Sequence, residues 1–206
     1  MLIVHAWAGR SPFEEDAARK LAGLGYTALA MDVYGKGVLG GSPEENTKLM
    51  APFQEDRAML QNRLKVGLQV LRDQVEVNAG KVAATGYCFG GLCVLDLART
   101  GEDFQGAASF HGLFNKPGNT DGNAIKAKVL ALHGWDDPMV PPADVVALAE
   151  ELTVSGADWQ IHGYGNTLHA FTNPDANAPD MGAMYQEDAD RRSWQAMENF
   201  LAEVLA

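Results

Sequence analysis

The fold of this chain is decided by the stretch Val82-Ala83-Ala84-Thr85-Gly86-Tyr87-Cys88-Phe89-Gly90-Gly91. An apolar, β-prone run enters the pattern Gly-x-Cys-x-Gly-Gly, and small and apolar residues at helical spacing follow from Leu92 onward. This order predicts a strand, a sharp turn and a helix, which together form a nucleophile elbow with cysteine in place of the usual serine. The alternative is a glycine-rich turn that holds a buried, inert cysteine.

The glycines of this stretch each have a steric reason. A nucleophile on a strained turn leaves no room for a bulky Cβ two residues before or after it, which predicts Gly86 and Gly90. Gly91 allows the helix to lie close to the sheet. The helix would begin beneath Cys88, and its N-terminus favours the thiolate form of the sulfur.

Length and composition predict one globular domain over residues 1–206. Hydrophobic residues make up 47% of the chain and charged residues 21%, which excludes a disordered or membrane-spanning protein. The formal net charge of −11 argues against nucleic acid and anionic membranes as partners. It does not exclude a small-molecule substrate, because the charge inside a pocket can oppose that of the whole protein.

The two cysteines point to a reducing compartment. Cys88 and Cys93 lie five residues apart on one predicted turn and helix and face different sides, so a disulfide between them is not expected. The apolar run at residues 1–4 is too short for a signal sequence and has no basic flank. A cytoplasmic location is therefore expected.

Predicted strands alternate with predicted helices along the chain. This alternation is typical of an α/β fold with a doubly wound, mainly parallel sheet. The expected strands cover residues 2–7, 27–33, 82–87, 106–112, 129–134 and 159–162. The first of them is a buried strand that begins at once, so we expect edge strands that commonly precede it to be missing.

The helices are predicted from apolar spacing and capping residues. Ser11-Pro12-Phe13-Glu14 is a capping box that starts a helix ending near Gly25. A long helical region over residues 44–77 is expected to break near Pro52 and to present one apolar face: Leu60, Leu64, Leu68, Leu71 and Val75. A further helix covers residues 142–153, a polar loop covers 173–182, and a last helix carries Trp194, Met197, Leu201 and Leu205 on one face.

Candidate catalytic residues follow the later strands. Chemistry in open α/β sheets collects at the carboxyl ends of the strands. Asp136 and Asp137 come after the fifth strand, and His169 comes after the sixth. A nucleophile, an acid and a histidine in this chain order are typical of the triads of α/β-hydrolases.

These motifs together resemble the dienelactone hydrolase family. They are the cysteine elbow, the pattern Gly-x-x-Asp-x-x-Val-Pro ending at Pro141, and His169-Ala170-Phe171. Further similar segments bring the resemblance to essentially the whole chain: His5-Ala6-Trp7, Asp32-Val33-Tyr34, Ser109-Phe110-His111-Gly112 and Asp190-Arg191-Arg192-Ser193-Trp194.

The resemblance implies an α/β-hydrolase fold and hydrolysis of a small ester or lactone without a cofactor. It implies a Cys-His-Asp triad that works through a thioester, with Cys88 as nucleophile, His169 as base and acid, and Asp137 as the orienting carboxylate. The backbone N–H groups of Trp7 and Phe89 would form the oxyanion hole. Asp136 is the rival for the acid, but the Asp-x-x-Val-Pro spacing selects Asp137.

The remaining histidines have structural interpretations. We expect His5 and His133 to be hydrogen-bonded structural residues, His162 to face outward, and His111 to line the pocket at a strand end. None has metal-ligating neighbours at a suitable spacing, so no metal site is predicted. Trp135, beside the predicted acid, is either a core residue or a wall of the substrate pocket.

Some family positions differ in this sequence. Ala6 stands where founding members have a glutamate that holds the resting thiol, so we expect Cys88 and His169 to form a standing thiolate–imidazolium pair. Two arginines that hold the carboxylate of the substrate in those members correspond to Lys36 and Asn173. A small neutral or weakly acidic substrate is therefore as plausible as an anionic one.

Two other functions remain open at this point. One is a carboxylesterase or thioesterase with broad activity on small esters, and the other is a non-catalytic scaffold that retains the triad. A dehydrogenase is excluded because no Gly-x-Gly-x-x-Gly follows the first strand, and no phosphate-binding loop is present. The expected partner is a small-molecule ester or lactone, and the chain is expected to be a monomer or a homodimer.

Overall fold

The computed structural model describes residues 1–206 and contains a six-stranded sheet in which all neighbouring strands are parallel. The strands lie in the order β2-β1-β3-β4-β5-β6. Their bounds are β1 Leu2–Val4, β2 Leu29–Met31, β3 Ala83–Tyr87, β4 Gly106–Phe110, β5 Lys128–Gly134 and β6 Trp159–Tyr164. The predicted doubly wound α/β fold is confirmed, and β1 lies inside the sheet as expected.

Six helices cover the two faces of the sheet. They are α1 Pro12–Gly23, α2 Pro43–Glu55, α3 Arg57–Arg72, α4 Phe89–Arg99, α5 Pro142–Val154 and α6 Glu187–Val204. One apolar cluster joins the sheet to α3, α4 and α5, and a second joins the other face to α1 and α6. The helix α4 is buried along its whole length, so the turn that precedes it is fixed deep in the molecule. No helix combines the length and the hydropathy that a membrane span requires.

The helical region before β3 differs from the prediction in two ways. It breaks at Asp56 and not near Pro52, because the Asp56 side chain accepts a hydrogen bond from the Met59 N–H and caps α3. Since α3 ends at Arg72, Val75 lies beyond it and is 95% exposed. The apolar face therefore consists of Leu60, Leu64, Leu68 and Leu71 alone, all of which are fully buried.

The second strand and the predicted polar loop at 173–182 also differ from the expectation. The second strand was expected to be buried, but β2 is half-buried because it forms the edge of the sheet. The expected polar loop at 173–182 contains part of a small antiparallel hairpin, β7 Asn177–Ala178 and β8 Ala183–Met184, joined by a 3-10 turn. This hairpin packs beside His169 and so belongs to the surroundings of the site.

Candidate active site

Cys88 occupies a strained turn between β3 and α4. Its φ of 55° and ψ of −113° lie outside the regions that most side chains adopt, and it is the N-cap residue of α4. A Cβ on Gly86 would collide with the Gly90 carbonyl, and a Cβ on Gly90 would collide with the Val4 carbonyl. A Cβ on Gly91 would lie 2.6 Å from the Cα of Gly112. The steric reasons predicted for these three glycines are confirmed.

Asp137 and His169 form a buried hydrogen-bonded pair. His169 Nδ1 lies 2.6 Å from Asp137 Oδ2, and the other carboxylate oxygen accepts the Met139 N–H at 2.8 Å. Asp137 is 2% exposed and His169 is 3% exposed, whereas Asp136 faces solvent. The neighbouring carboxylate is therefore not placed to orient the imidazole.

The loop that carries His169 is held by the β7–β8 hairpin. The His169 N–H donates to the Gly182 carbonyl at 2.9 Å, and the His169 carbonyl accepts the Met184 N–H at 3.0 Å. The next residue, Ala170, has a positive φ of 56°. These contacts fix the backbone on both sides of the imidazole, while its Nε2 has no hydrogen-bond partner in the protein.

The environment of His169 favours its charged form. Burial by itself lowers the pKa of His169, but the negative charge available at Cys88 and the hydrogen bond with Asp137 outweigh it and raise the pKa to about 10. Since Nε2 has no hydrogen-bond partner, the effect of Cys88 is exerted mainly through charge. The direction of this shift is the one expected for an imidazolium at His169.

The loop after β1 places Trp7 beside Cys88 in the wall of one cavity. Four hydrogen bonds hold this loop: Ala6 N–H to Glu14 at 3.0 Å, Gly9 N–H to the Ala6 carbonyl at 3.2 Å, Tyr34 hydroxyl to the Trp7 carbonyl at 2.9 Å, and Gly40 N–H to the Ala8 carbonyl at 2.9 Å. The N–H of Trp7 makes no hydrogen bond itself. The N–H of Phe89, at the first position of α4, is also without a partner. Two backbone N–H groups of the segments around Cys88 are therefore unpaired in the protein.

Glu14 holds this loop through a hydrogen bond that the sequence does not predict. One of its carboxylate oxygens accepts the Ala6 N–H, and the other accepts both the N–H and the hydroxyl of Ser11 at 2.9 and 2.7 Å. The predicted capping box is confirmed, and the same carboxylate also ties α1 to the loop of Trp7. In the sequence, the motif Ser11–Glu14 indicates only the start of a helix.

A cavity of about 400 Å³ surrounds Cys88. Most of its wall is apolar, no lysine or arginine lines it, and Glu14 is its one carboxylate. Its principal lining residues are Trp7, Phe13, Met50, Leu113, Met139 and Met181. A larger open groove of about 750 Å³ lies between β2 and α3, but it contains none of the predicted site residues.

The four predicted substrate-binding residues divide into two pairs. His111 and Asn173 line the cavity beside Cys88 and His169. Lys36 does not, because it is exposed on the loop that follows β2. Trp135 is also outside the cavity, since it is 46% exposed and its ring lies over Gly163 on the outer strand β6. In these two cases the structure departs from the expectation.

The other histidines have different roles. His5 Nε2 accepts the Val33 N–H at 3.0 Å, and its Nδ1 lies 2.6 Å from the Ala6 carbonyl, as expected for a structural residue. His133 was expected to be hydrogen-bonded, but both of its ring nitrogens are buried without a partner between aromatic neighbours such as Phe114. Burial lowers the pKa of His133, which favours the neutral ring.

The structure also describes the thiols and the possible metal ligands. Cys88 and Cys93 are both free. No group of three or more His, Cys, Asp or Glu side chains is placed to hold a metal ion.

Comparisons with known proteins identify relatives over the whole chain. A profile of the dienelactone hydrolase family matches residues 1–205. A putative carboxymethylenebutenolidase of Saccharolobus solfataricus is 24% identical over 237 residues, covering 99% of this chain and 89% of that protein. The uncharacterized protein K02A2.1 of Caenorhabditis elegans is 34% identical over 154 residues, covering 71% of this chain and 95% of that protein.

Solved structures with the same fold include two at more than 30% identity. A protein described as m3DLH superposes with a TM-score of 0.94 at 36% identity, covering 100% of this chain and 86% of that chain. The dienelactone hydrolase-like promiscuous phosphotriesterase P91 from metagenomic libraries superposes with a TM-score of 0.93 at 34% identity, with the same coverage of both chains.

Proposed function

The chain belongs to the dienelactone hydrolase family and is an ester- or lactone-cleaving hydrolase, and from this premise we propose that Cys88 attacks small uncharged carboxylic esters or lactones. The observation that carries the proposal is the convergence of three features on one cavity. Cys88 lies on a strained turn, the buried pair of Asp137 and His169 adjoins it, and no lysine or arginine lines the walls.

The first half of the proposed reaction acylates the enzyme. The Cys88 thiolate attacks the carbonyl carbon, and the N–H groups of Trp7 and Phe89 stabilise the negative charge that develops on the carbonyl oxygen. As the C–O bond breaks, the His169 imidazolium donates its Nε2 proton to the departing oxygen, and a thioester to Cys88 remains. An enol or phenol suits this step, because a thiolate expels a good leaving group more readily than a simple alkoxide.

The second half releases the acid and restores the resting pair. The neutral His169 accepts a proton from a water molecule, which attacks the thioester, and collapse of the tetrahedral intermediate expels the Cys88 thiolate. Asp137 keeps the Nδ1 proton of His169 in place, so that Nε2 faces the reacting atoms in both halves.

The cavity favours uncharged substrates. A carboxylate on the substrate would find no lysine or arginine in the wall, and the carboxylate of Glu14 already accepts three hydrogen bonds. Removing an anion from water without a partner is strongly unfavourable. Asn173 offers a neutral donor, since its Oδ1 accepts the Asp175 N–H and its amide Nδ2 is left to donate.

Neutral phosphotriesters form a second candidate class. They are favoured by the similarity to P91, whose description names phosphotriesterase activity, and by the mainly apolar wall around Cys88, which has no lysine or arginine for an anion. A phosphoryl oxygen could take the place of the carbonyl oxygen at the two free N–H groups. We expect this activity to be slower than ester hydrolysis and to require the same cysteine.

The proposal is tested by comparing wild type with Cys88→Ala on p-nitrophenyl acetate, a dienelactone and paraoxon. Cysteine-dependent turnover of the ester alone supports a general esterase. Cysteine-dependent turnover of the dienelactone as well supports a dienelactone hydrolase. Turnover of none of them by the wild type would favour the non-catalytic scaffold. Equal turnover by both proteins would overturn the assignment of Cys88.

A further inference from the structure

We propose that His111 is a positioning residue that fastens the turn of Cys88 to the loop of His169 by way of Thr172. This inference rests on the proposed function, because it concerns the alignment of the same nucleophile and base. It gives His111 a role other than the substrate contact expected from the sequence.

The first half of the link joins His111 to the nucleophile. The N–H of Cys88 is shared between the Phe110 carbonyl at 3.0 Å and His111 Nδ1 at 3.1 Å. A ring nitrogen that accepts a hydrogen bond carries no proton, so the proton of the neutral ring is on Nε2. The contact is to the backbone of Cys88, which sets the direction of its side chain.

The second half joins the same ring to the loop of the base. His111 Nε2 lies 2.8 Å from the hydroxyl oxygen of Thr172, three residues after His169. The ring also packs edge-on against His169 and Phe171, at centroid distances of 5.2 and 5.1 Å. One imidazole therefore contacts both chain segments whose relative position determines the approach of His169 to Cys88.

Backbone strain at these segments explains why such a link is needed. Four residues other than glycine have a positive φ, and three of them are Cys88, His111 and Ala170. Conformations of this kind persist only when surrounding contacts hold them. The two hydrogen bonds of His111 join it to the strained Cys88 and to Thr172, two residues after the strained Ala170, so removing one bond would allow the turn or the loop to relax.

The ring is not placed to act as a second base. Both of its nitrogens are occupied, and it is buried. Burial and the neighbouring His169 hold the pKa of His111 well below its ordinary value, which agrees with a permanently neutral ring. Its contribution is therefore to geometry and not to proton transfer.

The link is tested by Thr172→Val, which keeps the size of the side chain and removes the acceptor for Nε2. We expect kcat on p-nitrophenyl acetate to fall about tenfold or more with KM changed less than about twofold, since small misalignments of reacting groups are costly. Alkylation of Cys88 by iodoacetamide at neutral pH should slow about threefold or more. Thr172→Ser keeps the hydroxyl and should have the kcat and the alkylation rate of the wild type. His111→Asn keeps an acceptor near the Cys88 N–H but does not reach Thr172, so it should behave like Thr172→Val.

The matched control is Thr167→Val. Thr167 is equally buried, and its hydroxyl bonds only to the Gly165 carbonyl at 3.1 Å, so this variant loses a buried hydrogen bond without touching His111. Equal kcat and alkylation rates in Thr172→Val, Thr172→Ser and Thr167→Val would overturn the proposal. If wild type turns over neither an ester nor a lactone, the proposed function fails, and the alkylation rates still decide whether the link aligns Cys88.

Discussion

His169 Nδ1 lies 2.6 Å from Asp137 Oδ2, and neither side chain is exposed to solvent by more than a few per cent. A hydrogen bond of this length between a buried carboxylate and an imidazole fixes both the tautomer and the orientation of the ring. The adjacent Asp136 is chemically identical but faces solvent. This difference between neighbours provides a matched pair for testing the role of the acid.

We expect Asp137→Asn to lower kcat/KM for p-nitrophenyl acetate by at least about 100-fold, because an amide at this position favours the wrong tautomer of His169. Asp136→Asn should stay within about twofold of wild type. Steady-state kinetics of the two variants measure the difference. A larger loss in Asp136→Asn than in Asp137→Asn would assign the acid to the other carboxylate.

The charge of His169 should depend on Cys88. Burial lowers the pKa of His169, but Cys88 is the largest of the causes that raise it, to a final value of about 10. We expect an NMR titration of the ring to give a clearly lower pKa in Cys88→Ala than in wild type, while that of His5 stays the same. An unchanged pKa of His169 in the variant would contradict a thiolate–imidazolium pair.

The same shift has a consequence for stability. The pKa of His169 is raised above its value in the unfolded chain, so folding stabilises the protonated ring. This stabilisation is complete below the unfolded pKa of about 6.5 and is lost as the pH rises through about 10. Urea unfolding of wild type and His169→Gln between these pH values should therefore give free energies of unfolding whose difference becomes smaller as the pH rises. A difference that grows with pH would contradict the direction of the shift.

Substrate charge should strongly affect the rate. We expect kcat/KM for p-nitrophenyl butyrate to exceed that for p-nitrophenyl hemisuccinate by at least about tenfold, because the anion would enter a mainly apolar cavity that has no lysine or arginine, and the charge of His169 is already balanced by the thiolate of the proposed pair. Asn173→Arg should narrow the gap by raising the rate on the anion, whereas Lys36→Ala should change neither rate. A wild type that prefers the hemisuccinate would contradict this account. A lower rate on the hemisuccinate in Lys36→Ala would also contradict it, because the anion would then have a partner outside this cavity.

The hydroxyl of Tyr34 should support the loop after β1 that carries Trp7. Tyr34→Phe keeps the ring contacts with His5 and Phe89 but removes the 2.9 Å hydrogen bond to the Trp7 carbonyl. We expect kcat to fall about threefold to tenfold and Tm to fall by about 2–4 °C, as for the loss of about 1 kcal/mol. Tyr26→Phe, which removes a hydroxyl without a hydrogen bond in the protein, should have neither effect. Equal kinetics of the two variants would mean that the loop is held without Tyr34.

A buried ion network joins the three helices α3, α4 and α5 over one face of the sheet, and breaking it should lower stability. Asp96 on α4 is fully buried and binds Arg57 on α3 and Arg99, and Arg99 in turn binds Glu151 on α5. We expect Asp96→Asn to lower the free energy of unfolding by about 3 kcal/mol, because two buried guanidinium groups lose a charged partner. The exposed Asp188→Asn should cause no measurable change. Urea denaturation measures both, and a negligible effect of Asp96→Asn would show that the network contributes little.

The turn of Cys88 and the positions of Asp137 and His169 can be predicted from residue type and from the order of the strands. The glycines around Cys88 have no room for a Cβ, so their spacing alone reveals the turn. Asp137 and His169 each follow a strand of a parallel sheet, and strand ends of such a sheet meet at one edge. Residue type and chain order were therefore enough to find the three side chains that the structure brings together.

The walls of the cavity could not be predicted in the same way. Lys36 matched a family position, but its loop turns toward solvent because Asp32 accepts N–H groups from Tyr34 and Gly35. The hairpin beside His169 depends on pairing between very short strands whose residues show no alternation. The second role of Glu14 depends on a hydrogen bond across eight residues to a loop. Such contacts arise from the assembled fold and leave little trace in local sequence.

The most direct test of the central claim is to trap the acyl-enzyme. Wild type and Cys88→Ala are mixed with excess p-nitrophenyl acetate, quenched in acid during turnover and digested, and the peptides are identified by mass spectrometry. The account predicts one acetyl group on the Cys88 peptide of the wild type, sensitive to hydroxylamine, and neither adduct nor turnover in the variant. Acylation of another residue, or undiminished turnover by Cys88→Ala, would contradict it.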